Sequence, residues 1–468
     1  MSNPGDADAT PISSVRQMAE HIAAGCKPPD AYRIGTEHEK FGFRLGDRQP
    51  PPYEPGGIRA LLDGLAGPGW SPILDRGNVI GLKGEGLNEG ASVALEPGGQ
   101  FELSGGLLRT LHETRDELAA HFSAVREVAA PLGLGFAPLG FHPTATRAEM
   151  PVMPKSRYAI MRRYMQLTGT LGLDMMLRTC TVQVNLDYSS EADMARKLRV
   201  SLALQPVATA LFANSPFTEG RPNGFLSARA QVWTDTDPDR TGMPATMFEG
   251  GFGFERFVEW VLDVPMYFVM RGGAYVDVAG ASFRDHVAGK LRDAAGDPVP
   301  GRATLGDFAD HVTTVFTDVR LKRFLEMRGA DAGSPAMMLA QSAFWVGLLY
   351  DDAALTAAEA LVRRRPWTEY SALRAAVPRQ GLSAPLSTLP AGGTGGVLRD
   401  LARDAVAIAA DGLRARARRD SAGQDETGYL DPLRDIVAGA PTQAEHWLSC
   451  YHGAWAGQAS RILDAAAV

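Results

Sequence analysis

Gly35-Thr36-Glu37-His38-Glu39-Lys40-Phe41-Gly42-Phe43 places two carboxylates two residues apart in an extended, glycine-punctuated stretch. Side chains alternate faces along a strand, so Glu37 and Glu39 lie side by side on one surface. Like charges at that spacing raise each other's pKa. A pair kept ionised at neutral pH therefore implies a metal ion or a guanidinium in the gap.

Three segments further along repeat the pattern. Over 178–187, Thr179, Thr181, Gln183 and Asn185 share one face, against Cys180, Val182, Val184 and Leu186 on the other. Over 93–104, Gln100, Glu102 and Ser104 oppose Phe101 and Leu103, following Glu96 and a Gly98-Gly99 pair that lets the chain bend. Over 319–328, read as one strand, Glu326 and Arg328 share a face with Phe324 against Leu325 and Met327. Each segment has an apolar face for packing and a face of carboxylates, amides or arginine.

Helices separate these strands. Ser13 and Ser14 can cap one with Val15, Met18, Ala19 and Ile22 in a single stripe. Thr110 and Glu113 have capping-box spacing ahead of Leu118, Phe122, Val125 and Val128. Ser190 starts a third, bent at Pro206, and Val397 to Arg419 reads as a fourth whose Arg-rich face is solvated. Strand and helix do not alternate in regular βαβ units, so the fold class is α+β with a large antiparallel sheet. The organisation expected is a flexible N-terminus over 1–14 and one catalytic domain over 15–468, with a Gly/Pro-rich loop near 378–396.

Composition narrows the function. The 468 residues are 45% hydrophobic and 22% charged, as in a globular chain. Lys and Arg total 47 against 54 Asp and Glu, a net charge of -7, which argues against a nucleic-acid partner. The start shows no secretory pattern, and apolar runs such as Ala343 to Tyr350 are too short to span a bilayer. Three widely spaced cysteines, Cys26, Cys180 and Cys450, suggest a reducing cytosol and a cytoplasmic protein.

Hard divalent ions take oxygen ligands, and Mg²⁺ on nucleotide phosphates uses one or two carboxylates per ion. Glu37, Glu39, Glu96, Glu102 and Glu326 could serve two or three ions, with Arg328 neutralising a transferring phosphoryl group. The blander alternative is a set of glutamates merely exposed on a sheet. Other chemistries lack their residues: His38-Glu39 begins like a zinc HExxH motif, but Gly42 stands where the second histidine belongs. Gly289-Lys290 lacks the upstream glycine of a phosphate loop, and the spacing around Gly84 and Gly86 is wrong for a dinucleotide fingerprint.

Residues 35–43, 95–104 (LEPGGQFELS), 169–187 (GTLGLDMMLRTCTVQVNLD), 214–227 (NSPFTEGRPNGFLS), 233–242 (WTDTDPDRTG) and 319–331 (VRLKRFLEMRGAD) together resemble the plant and proteobacterial type of glutamate–cysteine ligase. The resemblance implies a glutamine-synthetase-like fold, in which a curved antiparallel sheet flanked by helices forms a funnel for ATP, Mg²⁺ and glutamate. It implies phosphorylation of the glutamate γ-carboxylate, then attack by the cysteine amine to give γ-glutamylcysteine. By the same resemblance Glu37, Glu39, Glu96, Glu102, Gln183 and Glu326 form the metal site, and Glu326 and Arg328 are catalytic. Arg157 and Arg229 anchor the glutamate carboxylates, while Trp233 and Tyr267 wall the acceptor pocket. Ligation to a different amine, or a non-catalytic glutamate- or nucleotide-binding relative, stays open. Arg115, Val278 and Asp293 stand where the family's redox pattern has cysteines, so its shared disulfide cannot form.

Overall fold

The computed structural model describes residues 8–387 and 396–468. Nine strands build one sheet: β1 (Ile34–Arg44), β2 (Trp70–Asp75), β3 (Asn78–Gly84), β4 (Ser92–Leu95), β5 (Phe101–Ser104), β6 (Leu134–Ala137), β7 (Thr181–Leu186), β8 (Val319–Leu321) and β9 (Leu325–Asp331). The order is β8-β9-β7-β1-β5-β4-β3-β2, with β6 paired to the far end of β1. Every pairing in this sheet is antiparallel, as the α+β reading expects.

The helices that position the sheet are α1 (Val15–Ala23), α2 (Leu111–Ala129), α3 (Ser156–Thr168), α4 (Gly172–Arg178), α5 (Glu191–Leu211), α6 (Ala228–Val232), α7 (Pro335–Leu349), α8 (Trp367–Gln380) and α9 (Leu398–Arg416). Thr110 and Glu113 form the expected capping box on α2: Glu113 N donates to Thr110 Oγ1 at 3.2 Å, and Thr110 N to Glu113 Oε2 at 3.0 Å. Such a cap is worth about 1 kcal/mol. Helices α2, α5 and α7 cover the back of the sheet, where Val182, Val184, Leu186, Leu325 and Met327 join the main core. The Ala343–Tyr350 run falls largely on α7, which is buried on all sides between β1 and α9. Its crossing with α9 is set by two glycines, since a Cβ on Gly347 or Gly412 would overlap the backbone of the other helix. No helix among the described residues is long and apolar enough to cross a membrane.

Several boundaries differ from expectation. Segments 93–104 and 319–328 are hairpins rather than single strands. In the first, Gly99 at φ +83° turns the chain and donates its N–H to Glu96 O at 2.9 Å. In the second, Lys322 N donates to Phe324 O at 2.8 Å. Alternation continues across both turns, so periodicity alone cannot reveal them. Pro378 lies inside α8 rather than in the loop expected near 378–396, of which 388–395 fall outside the described residues. Of the N-terminal stretch expected to be flexible, 1–7 lie outside the described residues. Residues 8–14 are pinned to 303–306 by bonds such as Ile12 N to Ala303 O and Leu305 N to Thr10 O, both 2.9 Å.

Candidate active site

Strand register gathers the acidic residues on the front of the sheet. Glu39 faces Glu102 across β1 and β5, and Glu37 faces Ser104 on one side and Gln183 on the other. Glu326 faces Asn185 on β7 and Arg320 on β8. None of this is the exposed sheet face of the blander reading: Glu37, Glu39, Glu102 and Glu326 are 1%, 8%, 2% and 0% exposed.

The β7–β9 side neutralises its own charge. Glu326 accepts from Arg320 Nε at 2.6 Å, Lys322 Nζ at 2.9 Å and an Arg328 terminal nitrogen at 2.9 Å. These cations overcome burial and hold the Glu326 carboxyl well below the usual range. Gln183 Oε1 accepts a second hydrogen bond from Arg328. A bulge between Met327 and Ala330 releases Arg328 from regular pairing, so its N–H bonds Asp318 O at 3.0 Å. Arg229, buried at the start of α6, donates to Arg328 O at 2.7 Å. Glu326 and Gln183, expected as metal ligands, are therefore engaged as the holders of Arg328. Their oxygens are already committed to nitrogen donors.

On the β1–β5 side the carboxyls draw on neutral donors among the described residues. Thr181 N donates to Glu39 Oε2 at 2.9 Å, Ser104 Oγ to Glu102 Oε1 at 3.1 Å and Asn185 Nδ2 to Glu37 Oε1 at 2.7 Å. Tyr158 Oη donates to Glu96 Oε1 at 3.2 Å. Hydrogen bonds do not cancel charge. Burial, then repulsion from Glu96, pushes the Glu39 carboxyl up to about 8. Burial and the neighbouring carboxylates hold Glu102 well above its usual range. Among the described residues no three His, Cys, Asp or Glu side chains are already gathered as a metal cage. The oxygen-only donors Glu37, Glu39, Glu96 and Glu102 nonetheless suit a hard divalent cation, which would offset the cost of burying Glu39 and Glu102.

Between the two sides lies a cavity lined by Glu39, Glu96, Arg157, Arg229, Trp233 and Arg328, with methionines and phenylalanines forming its apolar walls. Arg157 Nε and Trp233 Nε1 are buried without a hydrogen-bond partner. Tyr267 is not there. It is 1% exposed, with its ring stacked 4.0 Å from the Arg240 guanidinium and its hydroxyl 3.4 Å from Asp237 Oδ2. Its place beneath the buried Arg240–Asp237 pair makes it a core residue rather than a pocket wall. Arg320, Lys322 and Tyr158 were not singled out from sequence, although Arg320 and Lys322 sit at the two-residue spacing of the β8 polar face.

The profile of the glutamate-cysteine ligase family 2 (GCS2) matches residues 33–465. The chain belongs to this family. Chloroplastic glutamate–cysteine ligase from Medicago truncatula is 48% identical over 97% of this chain and 85% of the relative. That of Nicotiana tabacum is 49% identical over 97% and 83%. A crystal structure of glutamate–cysteine ligase from Francisella tularensis in complex with AMP shares the fold at a TM-score of 0.53 and 12% identity, over 92% of this chain and 87% of that one. Membership makes the chain an enzyme of the ligase class, forming γ-glutamylcysteine on the route to glutathione. The expectation of a cytoplasmic protein is corrected by the relatives, whose names place them in the chloroplast. Free thiols, which suggested the cytosol, report redox state and not compartment.

Proposed function

We propose that this cavity joins the γ-carboxylate of L-glutamate to the amine of L-cysteine at the expense of ATP, with Mg²⁺ held by Glu37, Glu39, Glu96 and Glu102. A carboxylate is a poor electrophile. A γ-carboxylate oxygen therefore attacks the terminal phosphorus of ATP, and ADP leaves. The cysteine nitrogen then attacks the acyl carbon of γ-glutamyl phosphate, loses a proton and expels phosphate. Bound Mg²⁺ supplies neutralisation of phosphate charge.

Arg157 and Arg229 suit glutamate because a planar guanidinium meets a carboxylate through two parallel hydrogen bonds. Arg328, fixed by Glu326 and Gln183 before any ligand arrives, presents a preset cation to the charge that develops on the transferring phosphoryl group. Trp233 supplies an apolar wall with one unpaired N–H. The observation that carries the reading is the placement of two buried carboxyls held above their usual range, Glu39 and Glu102, beside an arginine-lined cavity. An ADP-release assay with glutamate and a panel of amines, run with and without Mg²⁺, tests it. ADP formation should require glutamate and Mg²⁺ and be fastest with cysteine. Faster turnover with another amine would reassign the acceptor, and turnover independent of Mg²⁺ would remove the metal.

A further inference from the structure

A second, wider cavity adjoins the first. Its volume is 560 Å³ against 90 Å³, and the two share Pro97, Tyr158 and Met176. In a chain of net charge -7, its lining holds Lys155, Arg76, Arg162 and Arg163 and no carboxylate. Arg163 is paired with Asp277 at 2.5 Å; of the acidic groups that act on Lys155, Glu96 accepts from Tyr158 Oη at 3.2 Å and Asp75 is taken up by Ser156 N at 2.6 Å and Ser156 Oγ at 2.9 Å. Lys155 is different. It is 4% exposed, and its Nζ has no hydrogen-bond partner among the described residues. An unpaired buried ammonium is unfavourable, so its retention in a cavity wall marks a place for an incoming anion.

Tyr158 lines both cavities, Lys155 the wider one and Arg157 the first. Lys155 Nζ lies 5.5 Å from the ring centre and the Arg157 guanidinium 5.4 Å from the same ring. A ligand holding one carboxylate at each cation reaches from one cavity into the other past the Tyr158 wall they share, a reach suited to a dipeptide, about 7 Å of extended backbone or slightly more through a γ-linkage. The product of the ligation has that length and two such carboxylates. We propose that Lys155 receives the α-carboxylate of the acceptor amino acid, so that the wider cavity is the acceptor's subsite and Arg157 holds the glutamate end.

The inference rests on the ligase reading, and the test separates the two. KM is measured for cysteine and for cysteamine, which has the same amine and thiol without the carboxylate, in the wild type, Lys155→Gln and Lys155→Arg. Lys155→Gln should raise KM for cysteine about ten- to a hundredfold, the range for a charge-assisted hydrogen bond, and leave that for cysteamine within about twofold. Lys155→Arg should recover part of the loss. Cysteine methyl ester on the wild type gives the same answer without any variant, because its KM should approach that of cysteine on Lys155→Gln. An equal effect on cysteine and cysteamine, no effect on cysteine, or an ester bound as well as the acid would overturn the assignment. Failure of the wild type to release ADP with cysteine would instead overturn the ligase reading.

Discussion

The two sides of the active face treat buried charge in opposite ways. Glu326, the most buried of its carboxylates, is surrounded by Arg320, Lys322 and Arg328. Glu39 and Glu102 face each other across two paired strands, with no cation among the described residues in hydrogen-bond contact. The β7–β9 side is complete as folded. The β1–β5 side keeps two carboxyls above their usual range, a cost that the proposed divalent cation would offset.

The sharpest break in this comparison comes from making one substitution on both sides. Glu326→Gln should lower stability by about 3–5 kcal/mol, because three buried cations lose their counter-ion, and should abolish most turnover as Arg328 loses its anchor. Glu102→Gln should leave metal-free stability equal or higher, since it removes a charge that burial opposes, while turnover falls as steeply. Thermal unfolding without Mg²⁺ separates the two. A loss of equal size in both would mean that the sides do not differ.

A pH series sharpens the same point. A carboxyl raised on folding to about 8 adds stability that is full below its ordinary value near 4.3 and is lost as pH climbs through 8. Metal-free melting temperature should therefore fall between about pH 5 and 8, and Glu39→Gln should flatten that slope. Mg²⁺ should stabilise the wild type most at the alkaline end, where it no longer competes with the proton.

Arg229→Lys is a smaller perturbation. It should raise KM for glutamate by the equivalent of about 1–3 kcal/mol, and KM for ATP much less. Because Arg229 also holds Arg328 O, kcat should fall too. Equal changes in both KM values would indicate a general loss of positioning. The smallest effect belongs to redox control. Cys26 packs with the main core, Cys450 with a different cluster, and Cys180 is buried, so dithiothreitol or oxidised glutathione should leave activity unchanged. A several-fold reversible change, mapped to a Cys26–Cys450 bond, would show a switch.

Much of this was legible because period-2 alternation is a local property. It places Glu37, Glu39, Glu102, Gln183 and Glu326 on one face whichever way the strands pair. Which charges neutralise which is not local. Arg320 reaches Glu326 only because the chain turns at 322–324, and alternation runs through that turn without a mark. Tyr267 was misread for the same reason: an aromatic beside a site motif looks alike whether it faces the cavity or an ion pair on its far side. Lys155 and Arg157 share a sequence motif and open onto different cavities, which have Tyr158 as a common wall.

The glycine contact between α7 and α9 reaches further than its location suggests. Ser342, one turn before Gly347 on α7, meets Thr36 of β1 at 2.7 Å, and Glu37 is the next residue. A methyl group at Gly347 or Gly412 would act as a shim driven between two layers. The displacement would pass along α7 into the strand that carries the carboxylates. The thickness of that helical layer is thus a tolerance on the catalytic face, held by two residues that have no side chain and touch no substrate.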